Sequence, residues 1–284
     1  MCITITYYLV LDDAYIGRNV NATTAFYDVE RIEVVKGPQG TLFGRNASAG
    51  AINVITRKPE NRTYAKLGFG YGNDSQTDIN FVGNVAVSDA FQLRLAYNHE
   101  DFRGVQFAEG PNGNYFADSD AARLTAKIEP SPFTTILLSG HFSDAQSNRT
   151  GLHNAGLAAV AGLPGAGDPF ADRISLDSLS FEDARVRGAN LRITQELTDD
   201  ISLTSISDWR SWDYSFSQDL DGIGVALPVD LGDIFFGAPG TIVTFGPPRF
   251  FQPNVSAETI SQELGLNGTS DQLDWVIGGS YFKE

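Results

Sequence analysis

The feature that most constrains the fold is an alternation of apolar and polar or small side chains that begins after residue 60. Leu67, Phe69 and Tyr71 alternate with glycine and lysine, and the pattern returns in later segments. A period of two places one set of side chains on each face of a β-strand. About nine strands are predicted, at 65–72, 79–88, 91–98, 123–129, 133–142, 190–197, 201–216, 259–267 and 273–282. The chain is therefore predicted to be dominated by β-structure.

The connections between these strands alternate between tight and long. Short turns at 88–90, 130–132, 198–200 and 269–272 are rich in Asp, Ser or Pro, whereas 101–120, 144–184 and 218–256 are long. In an antiparallel sheet this places the tight turns at one end and the long loops at the other. Outer-membrane barrels have that asymmetry, and soluble β-sandwiches have less reason for it. The pattern favours a membrane barrel over a soluble sandwich.

Composition excludes several other classes. The chain has 20 Lys and Arg against 35 Asp and Glu, a net charge of −15, which disfavours nucleic acid as a partner. Its single cysteine, Cys2, excludes a disulfide framework and a zinc site built from paired cysteines. No apolar run reaches the roughly 18 residues of a membrane helix, although strands that alternate escape this criterion.

The predicted strand length also suits a membrane. About ten residues at about 3.3 Å each, tilted by roughly 45°, climb about 23 Å, close to the apolar band of an outer-membrane barrel. In the strand predicted at 201–216, Trp209 is odd-numbered while Trp212, Tyr214 and Phe216 are even-numbered, which predicts a bulge or an extension beyond the bilayer. Any strand favours aromatic residues, but those near strand ends are also candidates for the aromatic girdles at the membrane interfaces. They are Tyr71, Tyr97, Trp209, Trp212, Trp275 and Tyr281.

The segment 27–59 differs from the alternating strands after residue 60. Two short apolar strands, at 32–35 and 51–56, flank a stretch with glycines at 37, 40, 44 and 50. Glycine permits positive φ and close backbone approach, as in a compact insert that presses on other segments. Residues 40–46 lack the Lys-Ser/Thr of a phosphate loop, and the glycines at 68–72 lie inside a strand, so nucleotide binding is disfavoured. Upstream, the apolar residues 1–11 predict another strand.

Ordered motifs in this segment closely resemble the end of the plug domain of TonB-dependent outer-membrane receptors. They are Glu30-Arg31-Ile32-Glu33, Gly37-Pro38-Gln39-Gly40, Leu42-Phe43-Gly44 and Gly50-Ala51-Ile52-Asn53-Val54-Ile55-Thr56. Residues 11–18 also resemble a plug strand, with Asp13 where glycine is usual. The resemblance implies a structural plug motif formed by Glu30, Arg31, Glu33, Gly37, Pro38, Gly40, Gly44, Gly50 and Asn53.

The resemblance implies an all-β-dominated fold. We expect the C-terminal half of an α+β plug domain at 1–60, then about nine strands of a transmembrane antiparallel β-barrel of about 22 strands at 61–284. Signal peptide, coupling box and the first half of the plug are not recognised, so we expect a gene fragment whose curved sheet is open, with exposed edges.

The resemblance also implies a function and partners. The expected function is active uptake of a scarce nutrient through the bacterial outer membrane, in contact with its lipid and driven by the inner-membrane TonB energy-coupling complex. Residues 258–266 and 273–284 resemble the iron-complex branch, which favours a ferric siderophore as the extracellular ligand. Haem, cobalamin, nickel chelates and oligosaccharides remain alternatives.

Chemistry for catalysis is weakly represented. His99, His141 and His153 lack metal-ligand spacing, and acidic pairs such as Asp12-Asp13 lie in predicted turns, where solvated carboxylates are the default. No catalytic residue, metal site or cofactor is predicted. Candidate ligand contacts in the long loops are His153, Phe235, Phe236, Arg249, Phe250 and Phe251. For the four phenylalanines, packing of the loop against its neighbours is the simpler explanation.

Two other classes of function remain open. A passive porin or an adhesive surface barrel would need no plug, and a soluble carbohydrate-binding β-sandwich would need no lipid. The plug-like segment argues against both, and an enzyme has the least support.

Overall fold

A computed structural model describes the chain over 7–16, 26–37, 50–110, 113–148, 167–168, 171–176, 179–219, 227–230, 242–245, 249–270 and 272–284. Within these ranges the regular elements are sixteen β-strands. The described residues contain no helix long and apolar enough to cross a membrane.

A small sheet is built from the first four strands, β1 (Tyr7–Leu11), β2 (Ala14–Tyr15), β3 (Val29–Lys36) and β4 (Gly50–Thr56), in the order β2-β1-β4-β3. β1 and β4 are parallel, whereas the other two pairs are antiparallel. Leu9, Leu11, Ile16 and Val54 form its buried apolar cluster. The strands predicted from 1–11, 32–35 and 51–56 are confirmed, the first of them over residues 7–11.

A second, larger sheet follows. Its path is β16-β15-β12-β11-β9-β8-β7-β6-β5, and each strand on the path is antiparallel to its neighbours. The nine strands of the path confirm the predicted open, partial barrel sheet. Their bounds are β5 Tyr64–Tyr71, β6 Thr77–Ser88, β7 Phe91–Glu109, β8 Gly113–Ser131, β9 Thr134–Ser147, β11 Phe181–Thr198, β12 Ile201–Asp219, β15 Arg249–Thr269 and β16 Asp274–Lys283.

Three short strands lie between these long ones. β10 (Arg173–Ser175) runs parallel to the end of β7, and its Ile174 is fully buried with Ala108 and Leu176. β13 (Leu227–Asp230) and β14 (Ile242–Phe245) form a separate hairpin. The long connections 144–184 and 218–256 therefore contain structured segments.

The two faces of the large sheet differ in polarity. Leu95 and Leu124 are cross-strand partners and are 41% and 52% exposed, whereas their neighbours Arg94 and Thr125 are partners on the opposite face and are buried. We call the first face the outer face and the second the inner face. Exposed apolar side chains line the outer face, among them Leu67, Phe69, Val85, Leu95, Leu124, Leu138, Trp209, Ile260, Leu264 and Ile277. An apolar surface of this extent is what lipid contact requires.

Most strands of the large sheet are longer than predicted, although β5 and β16 have the predicted 8 and 10 residues. β7, β8 and β12 each have 19 residues, so the sequence estimate of about ten was wrong. Most of 101–120, predicted as a loop, belongs to β7 and β8. Ladder hydrogen bonding continues past the lipid-type alternation, where polar and aromatic residues occur on both faces, as Phe102 and Phe116 do, and the period of two is lost.

Trp209 and Trp212 of β12 lie on opposite faces of the sheet, and no bulge separates them. The register between β11 and β12 is continuous from Phe181 to Glu196, and a shift occurs against β15 only beyond Tyr214. Trp212 is 6% exposed and packs on the inner face with Val186 and Tyr214, so its assignment to an outer girdle was wrong. Trp209 lies on the outer face as predicted.

Candidate functional site

The small sheet packs on the inner face of the large one, and this contact is the candidate functional site. It begins at the tight turn between β1 and β2, where Asp12 and Asp13 have φ of 50° and 66°. Aspartate tolerates this left-handed backbone better than most residues. The turn thus presents two adjacent carboxylates, which point to different partners.

Asp12 ties the turn to the small sheet's own last strand. Its carboxylate accepts hydrogen bonds from the Thr56 backbone N–H at 3.0 Å and the Thr56 hydroxyl at 2.7 Å, and it pairs with the Lys58 ammonium. Burial acts to raise the pKa of Asp12, but the charge and hydrogen bond of Lys58 and the two bonds from Thr56 outweigh it and lower that pKa. Asp12 is only 13% exposed, so the default assumption of a solvated turn carboxylate was wrong here.

Asp13 reaches across to the large sheet. Its carboxylate accepts a hydrogen bond from the Asn53 side chain at 2.9 Å and pairs with the Arg192 guanidinium on β11. A glycine at this position would adopt positive φ without strain but would lack the carboxylate. The aspartate therefore adds one ionic link between the two sheets.

The most buried link joins Asp28, just before β3, to Arg94 on β7. Arg94 Nε and Nη2 donate to the two Asp28 oxygens at 2.7 and 2.6 Å, and Arg94 Nη1 donates to the Tyr64 hydroxyl at 2.6 Å. The side chains of Arg94 and Asp28 are 4% and 7% exposed. Two parallel, charge-assisted hydrogen bonds fix both the distance and the orientation of the two sheets.

Arg123 on β8 provides a third link next to Arg94. Its Nη1 donates to the Tyr27 carbonyl at 3.3 Å, and its guanidinium lies 4.5 Å from the centre of the Tyr27 ring. Burial raises the pKa of Tyr27, although Arg123 opposes that effect. Residues 27 and 28 are thus held by two arginines from neighbouring strands of the large sheet, which we also call the wall.

The connection between the sheets is held at Asn84, which is fully buried on β6. Its amide donates to the carbonyls of Glu60 and Arg62 at 2.8 and 2.5 Å, and its oxygen accepts from the Glu60 N–H at 3.0 Å. The chain therefore leaves the small sheet and enters β5 along one fixed path.

A cavity of about 250 Å³ remains between the sheets, lined by apolar surface, including Ile55 and Leu137, as well as by charged groups. Acidic and basic side chains from both sheets face it, and the inner-face residues of β8, β9 and β11 close it. The lining includes Asp12, Asp13, Glu30, Arg31, Lys58, Thr125, Ser139, Asn190 and Arg192. The interface is thus partly open and charged rather than packed like a core.

The predicted plug-motif residues divide into groups. Glu30, Arg31 and Glu33 lie on exposed β3, where Arg31 pairs with both glutamates at 2.8 Å. Gly37 and Gly50 have φ of 88° and 147°, and a side chain at Gly50 would meet the carbonyl of Val35. Positive φ is confirmed at both positions and close approach at Gly50 alone, since a side chain at Gly37 would meet no atom within 4 Å. Pro38, Gly40 and Gly44 lie outside the described residues.

The predicted ligand contacts are not placed. His153, Phe235 and Phe236 lie outside the described residues, and Arg249, Phe250 and Phe251 are described only as the backbone that starts β15. Sequence reasoning missed Arg94, Arg123 and Arg192. The available signal was an arginine on the polar side of an alternating strand, which a water-filled lumen would also explain.

Comparison with known proteins agrees with these features. The family model described as the TonB-dependent Receptor Plug Domain matches residues 7–51. The Vitamin B12 transporter BtuB of Vibrio vulnificus (strain CMCP6) is 38% identical over 92 residues, which cover 32% of this chain and 15% of that protein.

Solved structures extend the likeness to the whole fold. The ferric-catecholate import receptor Fiu of E. coli K12, in its open form, superposes with a TM-score of 0.71 at 14% identity, covering 99% of this chain and 42% of that one. The ferric yersiniabactin uptake receptor FyuA of Yersinia pestis gives 0.70 at 17% identity, covering 96% and 38%. The chain thus spans well under half the length of the proteins it matches.

Proposed function

Because the chain belongs to the TonB-dependent receptors of the bacterial outer membrane, we propose that it is part of an active transporter of a scarce nutrient. Residues 1–60 act as part of the plug and 61–284 as part of the barrel wall. The nutrient is a ferric siderophore, and the energy comes from the inner-membrane TonB complex. The protein binds and moves this ligand without changing it chemically, so it is not an enzyme.

The observation that carries this proposal is the attachment of the small sheet to the inner face of the wall. The Arg94–Asp28 pair and the Arg123–Tyr27 contact hold a folded insert where a passive pore would be open. Such an insert must move or rearrange before a large ligand passes. This supports a gated, energy-dependent receptor over a passive porin or an adhesive barrel.

The choice of ligand follows from the solved relatives. Fiu and FyuA are named for ferric-catecholate and ferric-yersiniabactin import. A second candidate is cobalamin, because the relative at 38% identity is a vitamin B12 transporter. That match covers only 32% of this chain, whereas the structural likeness covers nearly all of it.

Growth experiments test the function. A strain lacking this gene should lose growth on one ferric siderophore as sole iron source, and the cloned gene should restore it only where TonB is intact. Growth restored without TonB would overturn the energy-dependent mechanism. Uptake of radiolabelled cyanocobalamin, with no effect on ferric siderophores, would replace the first ligand with the second.

Ligand contacts are proposed at His153, Phe235, Phe236, Arg249, Phe250 and Phe251. Replacing Phe250 and Phe251 together by serine should weaken ligand binding, because aromatic faces would be removed from the extracellular side. Phe133→Ser is a suitable control, because Phe133 is 57% exposed at a tight turn on the opposite end of the wall. Unchanged affinity in the double variant would discard this surface.

A further inference from the structure

His99 on β7 and Asp118 and Asp120 on β8 lie together on the outer face of the wall. One ligand atom from each lies within 4.8 Å of the others. The register explains the grouping, since His99 is the direct cross-strand partner of Asp120 and Asp101 is the partner of Asp118. Sequence spacing gave no sign of this group because the pairing joins distant positions of the chain.

The charges of this patch are not balanced by protein groups. Asp101 faces Asp118, and Asp120 faces Asp144 on β9, so two pairs of like charges stand directly opposite each other. Such pairs are destabilising. Arg103 pairs with Asp101 at 3.3 Å and Arg185 with Asp144 at 2.9 Å. Four carboxylates against two guanidiniums leave two negative charges, the charge that one divalent cation neutralises.

One carboxylate oxygen beside the group lacks a partner among the described residues. Asp144 Oδ1 is buried and forms no hydrogen bond with any described residue, whereas Asp101 Oδ1, also without a hydrogen bond, lies 3.3 Å from Arg103 Nη2 in their ion pair. A buried carboxylate oxygen without a donor is costly, and such atoms call for a bound group that satisfies them. These oxygens come from the strands on either side of β8 and therefore flank Asp118 and Asp120.

The remaining contacts orient the ligands. The Tyr97 hydroxyl donates to Asp120 Oδ1 at 2.6 Å, and His99 Nδ1 lies 3.1 Å from the same oxygen. No hydrogen bond or ion pair involves the Asp118 carboxylate among the residues that the structure describes. One imidazole and two carboxylates form a nitrogen and oxygen donor set that suits Zn²⁺ or Mn²⁺ better than Ca²⁺, which prefers oxygen alone.

We infer that His99, Asp118 and Asp120 bind a divalent metal ion on the outer face of the wall, with Asp101 and Asp144 adding negative charge beside it. The site is separate from the contact between the two sheets, which lies on the inner face. The ion links β7 to β8 and relieves the repulsion between the opposed carboxylates. This inference does not depend on which nutrient is transported.

Metal binding to the purified receptor, stripped with EDTA, tests the inference. Titration with Zn²⁺ and with Mn²⁺ should show saturable binding that Asp118→Asn and His99→Gln each weaken by at least about tenfold. Asp200→Asn is the control, because Asp200 is exposed in the tight turn between β11 and β12, at the other end of the strands. Loss of binding in Asp200→Asn to the same degree would overturn the assignment.

A spectroscopic signature separates this site from non-specific binding. Bound Mn²⁺ should show coupling to a histidine nitrogen in pulsed electron paramagnetic resonance, and the coupling should disappear in His99→Gln. The measurement on the wild-type receptor does not depend on any variant folding correctly. Absence of saturable binding in the wild-type receptor, or binding without nitrogen coupling, would refute the site.

Discussion

Arg94→Gln tests the contact between the two sheets most sharply. The substitution leaves the Asp28 carboxylate, only 7% exposed, without its bidentate partner, and it removes the donor to the Tyr64 hydroxyl. Breaking a buried ion pair from one side costs about 3–5 kcal/mol. Because about 1.4 kcal/mol corresponds to a tenfold change in an equilibrium constant, the equilibrium constant for opening of the small sheet should rise roughly 140-fold to 3,700-fold.

Hydrogen exchange at the amides of β4 in the purified receptor measures this opening. The control is Arg62→Gln, because Arg62 pairs with Glu60 at 2.5 Å but is 64% exposed, and solvent-exposed ion pairs contribute little to stability. The double variant Asp28→Asn with Arg94→Gln should recover part of the loss, because no uncompensated charge stays buried. If the β4 amides of Arg94→Gln exchange as slowly as those of Arg62→Gln, the Arg94–Asp28 pair does not hold the two sheets together.

Two other substitutions test local features of the two sheets. The pKa of Asp12 is lowered, so its stabilisation is complete above about pH 4 and is lost as the pH falls through the lowered pKa. Asp12→Asn should therefore lower the free energy of unfolding by about 1–3 kcal/mol at pH 7 and should remove the decline in stability at acid pH. Equal unfolding free energies of variant and wild type at pH 7 would contradict this. Gly188→Ala should lower the free energy of unfolding by about 1–3 kcal/mol, because a methyl group there meets the His141 ring. Gly279→Ala is the control, because a methyl group there meets open space. Equal melting temperatures of the two variants would contradict the packing at Gly188.

Much of the architecture could be predicted because lipid imposes a simple rule on the chain. A strand with lipid on one side and polar surroundings on the other must alternate, as Leu95 and Arg94 do, so the number of strands in the large sheet could be read from the period of two. Strand ends could not be read, since around residues such as Asp101 and Asp118 polar and aromatic side chains occur on both faces. Backbone pairing continues there without leaving a pattern.

The residues of the candidate site were harder to predict from the sequence. Gly37 and Gly50 were found because their backbone requires glycine, which is a local property. Arg94, Arg123 and Arg192 were missed because their partners, at residues 28, 27 and 13, are distant in the chain, and only the docking of one sheet on another joins them. The same reason hid the opposition of Asp101 to Asp118.

The large sheet should face lipid on one side and the small sheet on the other, and a scan along β8 in reconstituted membranes tests this arrangement. Spin labels are attached to cysteines placed one at a time at positions 122 to 127, with Cys2 replaced by serine. Accessibility to oxygen, the lipid-soluble relaxant, should be high at the outer-face positions 122, 124 and 126 and low at 123, 125 and 127. Equal accessibility at successive positions, or the opposite alternation, would contradict a lipid-facing outer face.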